Sequence, residues 1–212
     1  MAERIRVPTG VTALDRQLNG GLPTGSIVVL SADPASQAEL LLQTISMQED
    51  RETFYITTQR SREAVRDSYT RMPEDGAVPR IQTVDAESPL DSANDLIKRI
   101  PEKSTVIIDT VNTLEELDSM RYRRFINELQ THMINTGGIA ILYALNGQHV
   151  PINRDISYSM GDIAFKLITE IDNIEVTNRL VVPKFRGGSA LQEAVKLELT
   201  ERVSIDTSRD IA

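Results

Sequence analysis

The chain has 212 residues, 40% of them apolar, with a formal net charge of −8. That length suffices for one large α/β domain with a full core, and that apolar share argues against disorder. The absence of cysteine removes disulfide frameworks and thiolate chemistry, and only two histidines, His132 and His149, argue against a His-based metal site.

In chain order, Val11, Leu14 and Leu18 sit at i, i+3, i+7 and predict a short helix that Gly20-Gly21 stop. Residues 27–31, Ile-Val-Val-Leu-Ser, read as a buried strand, and residues 37–49 as a helix. Strand, short loop, helix is the frame of a phosphate-binding P-loop, whose working form is G-x-x-x-x-G-K-[ST]. Its glycines let backbone N–H groups wrap the phosphates, its Lys neutralises them and its hydroxyl holds Mg²⁺. The loop present is Ala32, Asp33, Pro34, Ala35, Ser36, Gln37, Ala38 and Glu39. Aligned without gaps, the glycines become Ala32 and Gln37, the Lys becomes Ala38 and the hydroxyl becomes Glu39. A shift of one residue restores none of them.

Further strands are predicted at 53–58, 81–85, 104–110 and 139–145, with helices at 61–71, 90–100 and 114–135. Continuous apolar strands spaced by helices imply a mostly parallel sheet covered on both faces. Segments 163–170, 174–183 and 193–200 add antiparallel strands, the first two joined by a hairpin at Ile171-Asp172-Asn173. No internal repeat or linker divides the chain, so a single domain is expected, with a core over 1–160 and a C-terminal hairpin extension over 161–206. Residues from about Thr207 are polar and expected to fray.

Three strings carry a family resemblance. The first is Pro8-Thr9-Gly10-Val11-Thr12-Ala13-Leu14-Asp15, then Leu18-Asn19-Gly20-Gly21-Leu22-Pro23-Thr24-Gly25-Ser26. The second is Val106-Ile107-Ile108-Asp109-Thr110-Val111, a strand ending in an acid that can reach a metal-bound water. The third is Val182-Pro183-Lys184-Phe185-Arg186-Gly187. Together they resemble the RecA superfamily, nearest its KaiC-like and RadA-like ATPases, across almost the whole chain. The resemblance implies a RecA-like P-loop NTPase fold, with Asp109 and Thr110 as the Walker B-like pair. It implies that Lys184 and Arg186 reach a neighbouring subunit's terminal phosphate; a solvent-facing basic pair is the plainer reading. Two departures stand out: the loop at 32–39, and Gln59-Arg60 where KaiC-like members carry the two glutamates that orient the attacking water.

The expectation is a non-catalytic RecA/KaiC-like protein without cofactor, acting as a regulatory, signalling or assembly partner, with an active ATPase paralogue as one candidate partner. One alternative is an ATPase with an unconventional loop, in which Asp33, Glu39 and Asp109 gather Mg²⁺ for ATP. Another is a recombinase-like DNA repair accessory using the loop at 146–157. That loop has one Arg and no aromatic in its 146–154 stretch, and a mobile polar loop is the better reading. The charge balance of five Lys and 18 Arg against 31 acids argues against a broad nucleic-acid surface. A Lys-poor acidic surface suits both a salt-accumulating archaeon and an ordinary acidic protein. Glu115, Glu116 and Asp118 with Arg121, Arg123 and Arg124 read as a solvated, ion-paired helix face. No window approaches the ~18–20 apolar residues of a membrane span, and the start lacks the apolar run of a secretory signal. A cytoplasmic protein, homo- or hetero-oligomeric, is the default.

Overall fold

The computed structural model describes residues 5–48, 50–72, 77–172 and 175–206. Its elements are β1 (Arg6–Val7), α1 (Thr12–Gln17), β2 (Leu22–Pro23), β3 (Ile27–Ala32), α2 (Ala38–Ser46), β4 (Thr53–Thr57), α3 (Arg62–Thr70), β5 (Arg80–Thr83) and α4 (Pro89–Ile97). They continue with β6 (Thr105–Asp109), α5 (Asn112–Glu115), α6 (Ser119–Thr136), β7 (Ile139–Leu145), α7 (Arg154–Met160), β8 (Ile163–Asp172), β9 (Glu175–Phe185), β10 (Val195–Leu199) and β11 (Val203–Ile205). Nine strands form one sheet in the order β11-β10-β9-β8-β3-β7-β6-β4-β5. From β8 to β5 neighbouring strands are parallel, and β8 to β11 are antiparallel. The predicted mixed α/β fold is the observed one.

Alternation along the strands explains why helices cover both faces. Val28, Leu30, Tyr55, Ile107, Ile141 and Tyr143 point into a core shared with Leu41, Leu42 and Ile45 of α2 and Val65 and Tyr69 of α3. Their neighbours Ile27, Val29, Ile56, Val106, Ile108 and Leu142 point to the other side, against Leu90, Ala93 and Ile97 of α4 and Phe125, Ile126 and Leu129 of α6. Burial on both faces is what makes these strands continuous apolar runs.

The N-terminal string that resembles the RecA superfamily builds a clasp. Asp15 Oδ1 accepts from Thr9 N and Thr9 Oγ1, both at 2.8 Å. Arg6 Nη1 donates to Gly21 O at 3.2 Å, and β1 pairs with β2. Gly21 has φ +110°, and a Cβ there would lie 2.2 Å from Val7 O, so only glycine fits.

Three expectations need correction. The helix predicted over 114–135 is two helices. The first ends at Glu115, with Glu116 as its C-cap, and Asp118 caps the second, its Oδ1 accepting from Met120 N at 3.1 Å and Arg121 N at 3.0 Å. The solvated ion-paired face does not form as predicted: Glu115 is fully buried, Asp118 is the cap, and Arg121 reaches across to Asp91 of α4. The loop predicted over 146–154 ends one residue earlier, where α7 begins at Arg154, and both its ends are hydrogen-bonded. Asn146 N donates to Ala32 O at 2.8 Å, Asn153 N donates to Glu115 O at 3.2 Å, and Asn153 Nδ2 donates to Leu117 O at 2.7 Å. The hairpin forms between Asp172 and Glu175. Asn173 and the tail from Thr207, named in the sequence reading, lie outside the described residues.

Candidate functional site

Parallel strands place their carboxyl ends on one edge, and loops after those ends are where α/β sheets build sites. At that edge β3, β4, β6 and β7 deliver Ala32, Thr57, Asp109 and Leu145. After β3 the chain turns tightly: Ala35 N donates to Asp33 Oδ1 at 2.8 Å and Ser36 N donates to Asp33 O at 2.9 Å. Gln37 caps α2 with no side-chain cap bond, and Ala38 is fully buried in the core. The position aligned with the phosphate-binding Lys is thus packed against protein.

Glu39, in the first turn of α2, is paired across the site. Its Oε2 accepts from Arg60 Nη1 at 2.8 Å. Arg60 lies just past β4. Its backbone N donates to Thr57 Oγ1 and its carbonyl accepts from the same hydroxyl, both at 3.0 Å, which fixes the loop. Arg60 Nη2 donates to Ala64 O at 3.3 Å. Burial pulls the guanidinium down, but Glu39, with Tyr55 and Asp109, outweighs it and the net shift is upward. A carboxylate in the first turn also complements the positive end of the helix. Gln59 points elsewhere, with Nε2 3.4 Å from Thr113 Oγ1.

Asp109 lies beneath this pair. It is buried, its Oδ2 accepts from Tyr55 Oη at 2.5 Å, and a cis peptide joins it to Thr110. Burial raises its carboxyl above the ordinary aspartate value; the Tyr55 bond and Arg60 oppose that, and Glu39 adds to it. Tyr55 and Tyr143 are both pushed up, first by burial and then by Asp109. Thr110 N donates to Thr58 Oγ1 at 3.1 Å, while Thr58 Oγ1 donates to Thr110 O at 2.8 Å. The structure thus gathers Glu39, Arg60, Asp109 and Thr110 from three segments. It does not gather Asp33, Glu39 and Asp109 around a metal: among the described residues no group of three His, Cys, Asp or Glu could hold one. Tyr55 was not singled out in sequence, since a tyrosine in an apolar strand carries no local sign of its partner.

Lys184 and Arg186 stand at the opposite edge. Phe185 pairs with Ile163 at the start of β8, level with Val28 at the start of β3. Lys184 Nζ donates to Tyr158 O at 2.6 Å and Ser159 O at 3.1 Å, at the carboxyl end of α7. Arg186 pairs with Asp162 at 3.2 Å and donates to Ser159 O at 3.2 Å. The six residues of β3 separate this pair from Glu39, roughly 17–20 Å at strand rise. Neither cation serves the chain's own loop at 32–39.

The sheet order, the helices on both faces and the loops at the carboxyl edge define a RecA/KaiC-like fold. A solved structure of a KaiC-like protein from the hyperthermophilic archaeon Pyrococcus horikoshii OT3 superposes with a TM-score of 0.76, at 17% identity, over 96% of this chain and 100% of that one. The chain belongs to a family described as a family of unknown function (DUF7125), whose profile matches residues 6–212. No curated protein matches it. No helix among the described residues is long and apolar enough to cross a membrane.

Proposed function

We propose that this chain is a non-catalytic RecA/KaiC-like protein that works through a protein partner, with its nucleotide position closed by its own side chains. One observation carries the reading: the Glu39–Arg60 ion pair at 2.8 Å, made by residues aligned with the metal-binding hydroxyl and a catalytic glutamate. The residues present do not fit Mg-ATP. No glycine in 32–39 frees the backbone to wrap phosphate, Ala38 offers no charge, and the Glu39 carboxylate opposes an incoming polyphosphate. Each lost charge-assisted hydrogen bond forfeits about 1.5–3 kcal/mol, so several losses remove useful affinity.

What remains is a rigid domain suited to regulation or assembly, and a paralogue with an intact phosphate loop is the partner of choice. Calorimetric titration with Mg-ATP tests the closed site. The expected result is no dissociation constant tighter than about 1 mM, with no turnover. Low-micromolar affinity would overturn the reading in favour of an ATPase with an unconventional loop. The DNA-accessory alternative loses ground because the 146–157 segment is tied at both ends and its Arg154 is buried in an ion pair.

A further inference from the structure

A broad concavity lies away from the carboxyl edge. It is a groove of about 720 Å³ between α4 and α6, continuous through shared residues Asn94, Lys98, Arg124 and Glu128 with a second of about 340 Å³. Its floor is apolar, with Ile97 beneath and Met120, 80% exposed, at one end. Arg123 and Arg124 stand side by side on its α6 wall, and neither makes a hydrogen bond or ion pair among the described residues. In α4, Asn94 Oδ1 is buried without a donor.

We infer that this groove docks an extended, acidic peptide segment of a protein partner. Once Arg121 has paired with Asp91 and Lys98 with Asp95, Arg123 and Arg124 face one remaining acid, Glu128, and in a chain of net charge −8 that local excess of positive charge calls for a carboxylate. Asn127, Thr131 and Asn135 follow one another at i, i+4, i+8 along the same wall. That stride is about 6 Å, close to the ~6.6–6.8 Å that two residues of an extended chain span. The two amides, and the Thr131 hydroxyl oxygen as an acceptor since its proton goes to Asn127 O, therefore meet successive peptide units in near register. The Asn94 amide Nδ2, on the facing α4 wall, donates to a peptide carbonyl, and Met120 and Ile97 take an apolar side chain between the acids. Nucleic acid fits less well, because no aromatic residue lines the groove for base stacking.

This inference rests on the partner-binding reading above and gives it a surface. The variants it needs lie on α4 and α6 and touch neither Glu39 nor Arg60, so the two readings fail separately. The probe is a phage-displayed library of random twelve-residue peptides selected on the full chain. Enriched sequences should carry an excess of Asp and Glu. The most enriched one, synthesised with a fluorescent label, should bind saturably by anisotropy. The double variant Arg123→Glu/Arg124→Glu should weaken it at least about tenfold, as expected when central arginines are reversed. Asn94→Ala should weaken it about threefold or more. Arg99→Glu, outside the groove, should leave affinity unchanged. Both groove variants keep the apolar buried faces of α4 and α6, and an unchanged melting temperature confirms that.

Several results would overturn the inference. They are no enrichment, enrichment without acidic bias, and affinity retained in the double variant. Two others are a labelled oligonucleotide binding through the same arginines where no peptide does, and self-association of the chain that the double variant abolishes.

Discussion

Arg154 Nε lies 2.8 Å from Glu115 Oε2, and the two side chains are 5% and 0% exposed. Ser157 Oγ donates to Glu115 Oε1 at 2.5 Å, and Arg154 Nη1 donates to Asn146 Oδ1 at 2.9 Å. One buried pair therefore ties α5 to α7 and closes the segment after β7. A buried pair broken on one side leaves an uncompensated charge, which costs about 3–5 kcal/mol. Arg154→Met alone and Glu115→Leu alone should each lose that much in urea unfolding. The double variant should lose less than either single one, because no lone charge remains. A double variant whose loss equals the sum of the two would show that the residues are not coupled.

Asp109 supplies a pH test with a definite sign. Its folded carboxyl is raised by burial, so the native state holds the proton more tightly than the unfolded chain. The group favours folding below the usual aspartate range, and that contribution is lost as pH rises through the raised native value. Asp109→Asn should therefore stabilise the protein at pH 7 relative to the parent. The advantage should shrink as pH falls toward 4, where the unfolded aspartate begins to protonate. Unfolding free energies at several pH values decide it. An advantage that grows on acidification would mean that the Tyr55 bond, not burial, controls the group.

The Glu39–Arg60 pair is partly exposed, 48% and 32% for the two side chains, so its role in stability is small. Arg60→Ala and Glu39→Ala should each cost under about 1 kcal/mol, with a coupling that fades in high salt. Neither should create Mg-ATP binding, because Ala38 and the absent glycines remain. Micromolar binding in Glu39→Ala would show that this carboxylate alone keeps nucleotide out.

How much of this was legible in sequence follows from the range of each signal. Two-sided burial writes itself into β3, β6 and β7 as unbroken apolar runs, so the sheet could be read from Val28 or Ile108 and their neighbours. The break at Asp118 was present as an acid followed by Ser119, but it sat inside a helical period and was overridden. Arg154 and Glu115 lie 39 residues apart, and each looked like a surface charge. Only the fold shows that they neutralise one another. The same holds for Glu39 and Arg60: the alignment marked both as departures, and no local pattern said that they meet. β11 is three residues long and β1 two, too short for any periodicity.

Lys184 and Arg186 allow their two roles to be separated. Within the chain they clamp the carboxyl end of α7 through Tyr158 O, Ser159 O and Asp162. A charged donor on a carbonyl contributes about 1.5–3 kcal/mol when buried. Lys184 is only partly buried, so Lys184→Ala should cost about 1–2 kcal/mol, and Arg186→Ala, with its side chain 53% exposed, under about 1 kcal/mol. The trans role needs a neighbour with an intact phosphate loop, since this pair lies at the far edge from the chain's own. Arg186→Ala keeps the fold and is the better probe. Mixed with an active paralogue, the parent chain should raise the paralogue's ATPase rate, and a cation at a transferring phosphoryl group can be worth a factor of ~10³. The variant should lose that stimulation while still assembling. Stimulation that survives in the variant would confine Arg186 to the clamp and leave the chain a scaffold or allosteric partner.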